Sequence, residues 1–271
     1  RCEKKGVMSK DIQDKIVEYV RRQVSTISQL SVNWYGGEPL LAIDVIESLT
    51  EHFLKICKEN NITYSSTIIT NGYLLDMETV NRLIECKISN CQVTIDGDKK
   101  THNLRRPHVS GKDTYDTILK NAFNACKWFS VSIRVNLDKE NLDSIFFIRD
   151  IIKRNKLANI IVYPAPIRDN NECYIDNACL KCHEFFNYEY QYILSVGEER
   201  DILRKYPVSH GNFCCADSLN TLVIGEDGRL YKCWSDIGRK DLCFGNICDD
   251  SYNIFKAIRY SKYDPTRDIK C

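Results

Sequence analysis

Three short motifs follow predicted β-strands, and their residue types could hold a polar ligand. They are Tyr35-Gly36-Gly37-Glu38-Pro39, Asn71-Gly72 and Thr94-Ile95-Asp96-Gly97. Paired glycines let a backbone approach a ligand closely, and a carboxylate beside them could accept hydrogen bonds from an ammonium group. Each motif is also compatible with an ordinary turn, because Asp-Gly is a common turn pair.

Further polar residues lie near the same strand ends. His102 and Arg106 follow Asp96 closely, and Asn136 ends the apolar segment SVSIRVNL (130–137). An arginine at a ligand site can hold a carboxylate through two parallel hydrogen bonds. The alternative for Arg106 is a solvated charge in a basic loop.

The chain contains 14 cysteines in 271 residues. A secreted disulfide scaffold is usually short and rich in loops, whereas this chain is long and has strong helical periodicity. Metal or cluster ligation in a reducing cytosol therefore fits better. Cys57, Cys86 and Cys126 fall on apolar helix faces, so we assign them to the core.

Other cysteines stand in contexts that suit ligation. Cys173, Cys179 and Cys182, with His183, have the ligand types of a zinc site. The alternative is a surface connector with unpaired thiols. Cys215 and Cys233 flank a predicted hairpin of residues 219–224 and 229–234, where cysteines are commonly structural.

Five predicted strands alternate with helices over the first two-thirds of the chain. The strands are residues 31–35, 63–70, 90–96, 130–137 and 161–166. This alternation predicts right-handed βαβ units and a parallel sheet, and both a doubly wound sheet and a barrel fit it. Reactive residues should then lie at the carboxyl ends of the strands. Ser9, Asp44 and Asp76 are predicted helix caps, with Glu47 as a capping-box partner of Asp44.

Composition excludes several functions. The net charge of +1 argues against nucleic acid or an anionic membrane as the main partner. No apolar run approaches the ~18–20 residues of a membrane span. We predict a cytoplasmic protein with a barrel-like domain (1–167), a connector (168–206) and a small module (207–271).

Four motifs, in order, resemble one enzyme family across nearly the whole chain. WYGGEPLL, TNGYLL, TIDG followed by H-x-x-x-R, and G-x-x-x-x-C followed by GNI are similar to those of radical S-adenosylmethionine enzymes with a SPASM domain. These enzymes include peptide cyclases, thioether-forming maturases and sulfatase-maturating enzymes. The resemblance implies an α/β fold, a partial (β/α)6 barrel that lacks its first strand, followed by the start of a SPASM module.

The resemblance also implies a cofactor site. Gly36, Gly37 and Glu38 match the motif that binds the methionine amino group of S-adenosylmethionine. Thr94 and Arg106 match positions that bind its carboxylate or ribose, with Asp96 between them. Asn71 and Asn136 would line the nucleoside. In the family, a reduced [4Fe–4S] cluster cleaves S-adenosylmethionine to a 5′-deoxyadenosyl radical, which abstracts a substrate hydrogen.

The carboxyl-terminal part resembles the start of the SPASM module. Cys215 and then Gly228-x4-Cys233 match the first auxiliary-cluster pattern, with Cys214 as an alternative to Cys215. Cys271 matches the first cysteine of the later Cys-x-x-Cys run. Sulfatase-maturating members place an aspartate base directly after the third cysteine of this module. Here that place is taken by Trp234, which leaves Asp236 as the candidate base and favours a peptide maturase.

The implied function is a radical enzyme that forms a crosslink, such as a thioether, in a ribosomally made precursor peptide. A flavodoxin or ferredoxin would supply electrons. The alternative is a non-catalytic protein that binds a peptide or zinc on a degenerate barrel.

One family feature is not found in this sequence. The Cys-x-x-x-Cys-x-x-Cys loop for the catalytic cluster has no match, and Cys2 with Glu3-Lys4-Lys5 resembles the stretch just after that loop. Cys173-x5-Cys179-x2-Cys182 has the wrong first gap. We therefore expect the 271-residue chain alone to lack this cluster and to be inactive. We also expect it to pair with a second copy through the strand at 31–35.

Overall fold

A five-stranded parallel sheet positions the motif-bearing residues. Its strands pair in sequential order, β1-β2-β3-β4-β5. They are β1 (Gln29–Trp34), β2 (Thr63–Thr70), β3 (Ile88–Thr94), β4 (Ser130–Leu137) and β5 (Ile160–Pro166). A doubly wound sheet reverses its strand order partway, and this sheet does not. The predicted α/β fold class is confirmed, and the strand order favours the barrel-like arrangement.

The computed structural model describes residues 6–167, 179–195, 215–218, 220–249 and 251–258. The helices in these ranges are α1 (Lys10–Gln23), α2 (Ile43–Glu59), α3 (Met77–Glu85), α4 (Lys99–Arg105), α5 (Tyr115–Ala125), α6 (Ser144–Arg154), α7 (Cys182–Ser195) and α8 (Ile254–Ala257). None of these helices is both long enough and apolar enough to cross a membrane.

The two faces of the sheet differ in chemistry because strand side chains alternate. One face carries apolar residues such as Ile68, Val93 and Ile133, which join one buried cluster with apolar residues of α2, α3, α5 and α6. The opposite face, here called the polar face, carries hydroxyls and amides. Its side chains include Ser31, Asn33, Ser65, Thr67, Asn90, Gln92, Ser132, Arg134, Asn136 and Tyr163. The predicted core positions of Cys57, Cys86 and Cys126 are confirmed.

Two of the three predicted helix caps are confirmed, and one is wrong. Ser9 and Asp76 accept hydrogen bonds from the N–H groups of Ile12 and Thr79. Asp44 does not cap α2, which begins one residue earlier and has no side-chain cap at its N-terminus. Instead, Asp44 and Glu47 both bind Arg82 of α3. The arginine competes for the carboxylates that local sequence assigns to a capping box.

A second, antiparallel sheet of four short strands follows later in the chain. Its strands are β6 (Val223–Ile224), β7 (Arg229–Tyr231), β8 (Gly245–Asn246) and β9 (Ser251–Tyr252), in that order. The predicted hairpin is confirmed as β6 and β7, although its strands are shorter than expected. The chain divides into two compact units, Ser28–Ile202 and Arg1–Ile27 with Leu203–Cys271. The predicted boundaries at 167 and 206 stay a proposal, because both border stretches outside the described residues.

Candidate cofactor site at the strand ends

Glu38 joins the ends of β1 and β2. Its backbone is extended, and its Oε1 accepts hydrogen bonds from the Leu40 N–H, at 3.1 Å, and from the Thr70 hydroxyl, at 2.6 Å. Its Oε2 accepts a hydrogen bond from the Asn71 N–H, at 2.8 Å. An ionised carboxylate has about four acceptor positions, so three are already used. The structure therefore leaves Glu38 about one lone pair for a ligand.

The backbone beside Glu38 is more accessible than its carboxylate. Gly36 and Gly37 are exposed, and a Cβ added to either would meet no atom within 4 Å. This open space lets a ligand reach the main-chain carbonyls at the end of β1. A cofactor with an ammonium group fits here, since carbonyl and carboxylate oxygens both accept its hydrogen bonds.

The turn after β2 fixes the orientation of Asn71. The Asn71 side-chain oxygen accepts a hydrogen bond from the Tyr73 N–H, at 2.8 Å, and the Thr70 hydroxyl accepts one from the Gly72 N–H, at 3.0 Å. Gly72 has a φ of 81°, and Asn121 donates to its carbonyl at 3.0 Å. The Asn71 side chain is thus held at the strand end, with its amide NH2 group left to donate.

Asp96 ties the end of β3 to its neighbours. Its Oδ2 accepts a hydrogen bond from Arg106 Nε, at 2.5 Å, and its Oδ1 accepts one from the Asn136 N–H, at 3.1 Å. Asn141 donates to the carbonyls of both Asp96 and Asn136. The Asp96 side chain is only 5% exposed, whereas that of Arg106 is 36% exposed. The carboxylate therefore orients Arg106 through Nε, and the Arg106 side chain is the more accessible of the two.

His102 completes a closed hydrogen-bonded ring around Asp96 and Arg106. Its Nδ1 accepts a hydrogen bond from the Asp96 N–H, at 3.2 Å, so Nε2 carries the proton and donates to Thr114 Oγ1, at 3.2 Å. That hydroxyl donates in turn to the Arg106 carbonyl, at 2.7 Å. Burial lowers the pKa of His102 to about 4, so the imidazole of His102 is neutral at pH 7. Sequence alone placed His102 beside the site but did not predict this role.

The structure brings the predicted residues together in two adjacent groups. Glu38 and Asn71 meet at the ends of β1 and β2, while Asp96, Arg106 and Asn136 meet at the ends of β3 and β4. Strands β2 and β3 are paired, with Thr70 opposite Val93, so the two groups lie along one edge of the sheet. Thr94, the last residue of β3, is largely buried between them.

The described cysteines divide into inert and accessible thiols. Cys91 is fully buried. Burial, and to a lesser extent the charge of Glu38, raises the pKa of the Cys91 thiol, so the thiol stays protonated. Cys215 is exposed, and Cys233 is half-buried directly before the short helical turn Trp234–Asp236. Asp236 is buried. The predicted ligands Cys173, Cys214 and Cys271, and the side chain of Cys182, lie outside the described residues.

The part of the chain that the structure describes holds no group of three or more His, Cys, Asp or Glu side chains that could bind a metal ion. Cys243 and Cys248 are two further thiols that sequence reasoning did not assign; Cys243 donates to the Gly245 carbonyl, at 3.1 Å. Their position on both sides of Gly-Asn-Ile (245–247) is the signal that could have identified them.

Comparison with known proteins gives a consistent set of relatives. No family model matches the chain. It is 32% identical over 114 residues to a cysteine-type anaerobic sulfatase-maturating enzyme of Clostridium perfringens, covering 42% of this chain and 30% of that enzyme. It is 22% identical over 265 residues to the radical SAM cyclopropyl synthase TigE of Paramaledivibacter caminithermalis, covering 92% of this chain and 53% of the synthase. The chain thus spans about half the length of TigE, or less for the sulfatase-maturating enzyme.

Solved structures show the same fold. Native anSMEcpe with bound AdoMet has a TM-score of 0.71 at 20% identity, covering 96% of this chain and 73% of that one. Streptococcus suis SuiB bound to precursor peptide SuiA has a TM-score of 0.62 at 16% identity, and the match covers 93% of this chain and 60% of the SuiB chain. The chain therefore has the fold of radical S-adenosylmethionine enzymes that modify peptides, and its relatives in sequence include enzymes of that class.

Proposed function

We propose that this chain functions within a radical S-adenosylmethionine enzyme that modifies a peptide. The observation that carries the proposal is the pair of strand-end groups built on Glu38 and on Asp96. They offer hydrogen-bond acceptors at one end and an oriented guanidinium at the other, along a single sheet edge. S-adenosylmethionine has an ammonium group, a carboxylate and ribose hydroxyls, which need both kinds of partner.

Each strand-end residue has a distinct proposed role toward S-adenosylmethionine. The Gly36 and Gly37 carbonyls, with the remaining lone pair of Glu38, accept hydrogen bonds from the methionine ammonium. Arg106 binds the carboxylate or ribose through its outer nitrogens, and Thr94 donates its hydroxyl nearby. Asn71 and Asn136 face the nucleoside, while Asp96 orients Arg106.

The cofactors and electron supply follow from the same proposal. S-adenosylmethionine supplies a 5′-deoxyadenosyl radical when a reduced [4Fe–4S] cluster cleaves it. Cys215 or Cys214, Cys233 and Cys271 are the proposed ligands of auxiliary clusters, because thiolates are the usual ligands of iron–sulfur clusters. A flavodoxin or ferredoxin is the proposed electron donor.

The proposed substrate is a ribosomally made precursor peptide. Support comes from anSMEcpe with bound Kp18Cys peptide and from SuiB with bound SuiA, which share the fold. Abstraction of a hydrogen atom by the 5′-deoxyadenosyl radical would leave a radical on a peptide carbon. A cysteine thiol that bonds to this carbon would lose its proton to a base and pass the remaining electron to an auxiliary cluster, and the product would be a thioether crosslink. Trp234 follows Cys233, where a sulfatase-maturating enzyme would have its aspartate base, so we favour a crosslinking maturase. Asp236 remains the proposed base.

The test is S-adenosylmethionine cleavage by the complete protein. After anaerobic reconstitution with iron and sulfide and addition of a reductant, the native protein should release 5′-deoxyadenosine. The Arg106→Ala variant should release much less, whereas Arg154→Ala, which alters an exposed arginine on α6, should match the native protein. A complete, cluster-loaded protein that releases no 5′-deoxyadenosine would overturn the proposal.

A further inference from the structure

Arg134 is the one charged residue in the five strands of the parallel sheet. The other residues of β1 to β5 are apolar, hydroxyl-bearing, amide-bearing or aromatic. Arg134 is half-buried on the polar face. Bringing a cation into such a place costs free energy unless a partner compensates it. The position therefore suggests a binding role.

The arginines beside the strand ends have carboxylate partners, whereas none of the described residues supplies one to Arg134. Arg105 binds Asp138 and Arg106 binds Asp96. Among the described residues, Arg134 has no carboxylate within ion-pair distance, and its hydrogen bond is from Nε to Asn136 Oδ1, at 2.8 Å. Because Nε is occupied, the two terminal nitrogens remain in the end-on geometry that suits a carboxylate.

The register of the sheet places Arg134 below the strand-end groups. It pairs with Thr94 on β3 and with Tyr163 on β5, two residues before Asn136. Two residues of a strand span about 6.6 Å, so Arg134 lies deeper along the sheet than Asp96 and Arg106. Tyr163 donates to Gln92 Oε1, at 2.6 Å, so the residue opposite Arg134 on β5 is neutral and held in place.

We propose that Arg134 binds one carboxylate of the substrate peptide and so selects peptides with an acidic residue or a free C-terminus beside the modified position. This inference rests on the proposed function, since it assumes that a peptide lies along the polar face below the cofactor. One cation among neutral groups favours one negative charge, which an acidic side chain or a terminal carboxylate supplies equally well.

The experiment is a peptide selection with the complete protein in the presence of S-adenosylmethionine. Randomised short peptides are selected against the native protein, Arg134→Gln and the matched control Arg154→Gln. The native protein and the control should enrich Asp, Glu or a free C-terminus at one position, and Arg134→Gln should lose that preference. Arg134→Lys keeps the positive charge but lacks the two parallel N–H donors of the guanidinium group, so it should retain a weaker preference for a carboxylate.

Synthetic peptides then separate the two sources of the carboxylate. The native protein should bind the selected acidic peptide roughly tenfold more tightly than its amide counterpart. That counterpart carries Gln in place of Glu if the selection enriches an acidic side chain, or a C-terminal amide if it enriches a free C-terminus. Arg134→Gln should bind both equally. A native protein without an acidic preference overturns the inference.

Cofactor binding distinguishes this inference from the proposed function. Arg134→Gln should bind S-adenosylmethionine within about twofold of the native protein. A tenfold loss would assign Arg134 to the cofactor carboxylate and overturn the peptide role, while leaving the proposed function intact. A native protein that does not bind S-adenosylmethionine would instead count against the proposed function itself.

Discussion

The backbone N–H of Asp96 donates a hydrogen bond to Nδ1 of His102, at 3.2 Å. His102 is fully buried, so this nitrogen has no access to water and must remain unprotonated for the bond to exist. The other nitrogen of His102 donates to the Thr114 hydroxyl, which in turn donates to the Arg106 carbonyl. The geometry of the proposed cofactor site therefore depends on a histidine that would not contact the cofactor.

Stability should fall as the pH drops, because of His102. Its pKa is about 4 in the folded chain against an ordinary value of 6.5, so the unfolded chain takes up the proton first. The free energy of unfolding should decrease between pH 6.5 and pH 4, with a contribution of about 3 kcal/mol from this residue. Urea unfolding across this range should show a flatter pH dependence for His102→Gln than for the native chain.

Asn155→Gln is the control for that measurement, because it alters an exposed side chain that carries no titratable proton. It should leave the pH dependence unchanged. Equal pH dependence in the native chain and His102→Gln would contradict the neutral, buried state of His102. The comparison uses the slope with pH, so a uniform loss of stability in the variant does not affect it.

Two aspartates near helix starts should differ in their contribution to stability. Asp76 caps α3 through the Thr79 N–H, at 2.9 Å, so Asp76→Ala should cost about 1 kcal/mol. Asp44 is 90% exposed, and its described side-chain partner is Arg82, so Asp44→Ala should cost well under 1 kcal/mol. Denaturant unfolding measures both. A loss for Asp44→Ala as large as that for Asp76→Ala would show that Asp44 caps α2 after all.

The Asp44 result shows where sequence reasoning succeeded and where it failed. The five strands of the parallel sheet and most helices were predictable, because apolar spacing with a period of two or 3.6 residues is a local property. The order of the strands was not, because a doubly wound sheet and a barrel share this local pattern. The predictions that Ser9 and Asp76 cap helices were correct because a helix cap involves residues that are neighbours in sequence. Asp44 was wrong because Arg82, distant in sequence, lies beside it only after α2 and α3 pack together.

The candidate site divides in the same way. Positions at the strand ends were predictable, since parallel strands place their carboxyl ends along one edge. The partners of Glu38 and the ring through His102 depend on side-chain geometry and on the short helix α4, which the sequence analysis did not predict. The place of Arg134 opposite Thr94 depends on the register of the sheet. The hydrophobic pattern predicts on which face of the sheet a side chain lies, but not which residue of the next strand it pairs with.

Gly97 should tolerate alanine poorly. Its φ is 137°, and an added Cβ would lie 2.9 Å from Ser144 Cβ, which real contacts essentially never show. Gly111 also has a positive φ, of 80°, but a Cβ there meets nothing within 4 Å. Gly111→Ala should cost about 1 kcal/mol from backbone strain, and Gly97→Ala a further ~1–3 kcal/mol from overpacking. Similar losses for the two variants, by thermal or urea unfolding, would argue against the close approach at Ser144.

Removal of the Cys233 thiol should lower the iron content of the complete protein. If Cys233 holds an auxiliary cluster, Cys233→Ala should lose about four iron atoms per chain after anaerobic reconstitution, together with the same amount of sulfide. Cys248→Ala removes an exposed thiol of the same unit and is the matched control. It should keep the native iron content. Equal iron in the native protein and Cys233→Ala would remove Cys233 from the set of ligands.

The affinity of the complete, reconstituted protein for S-adenosylmethionine tests the central claim most directly. Calorimetry should show that Arg106→Ala and Glu38→Ala each weaken binding by about 1.5–3 kcal/mol, the range for hydrogen bonds to charged groups. Arg154→Ala should bind like the native protein, because its side chain is 79% exposed on α6. Unchanged affinity in both Arg106→Ala and Glu38→Ala, with native folding stability, would contradict a cofactor site at these strand ends.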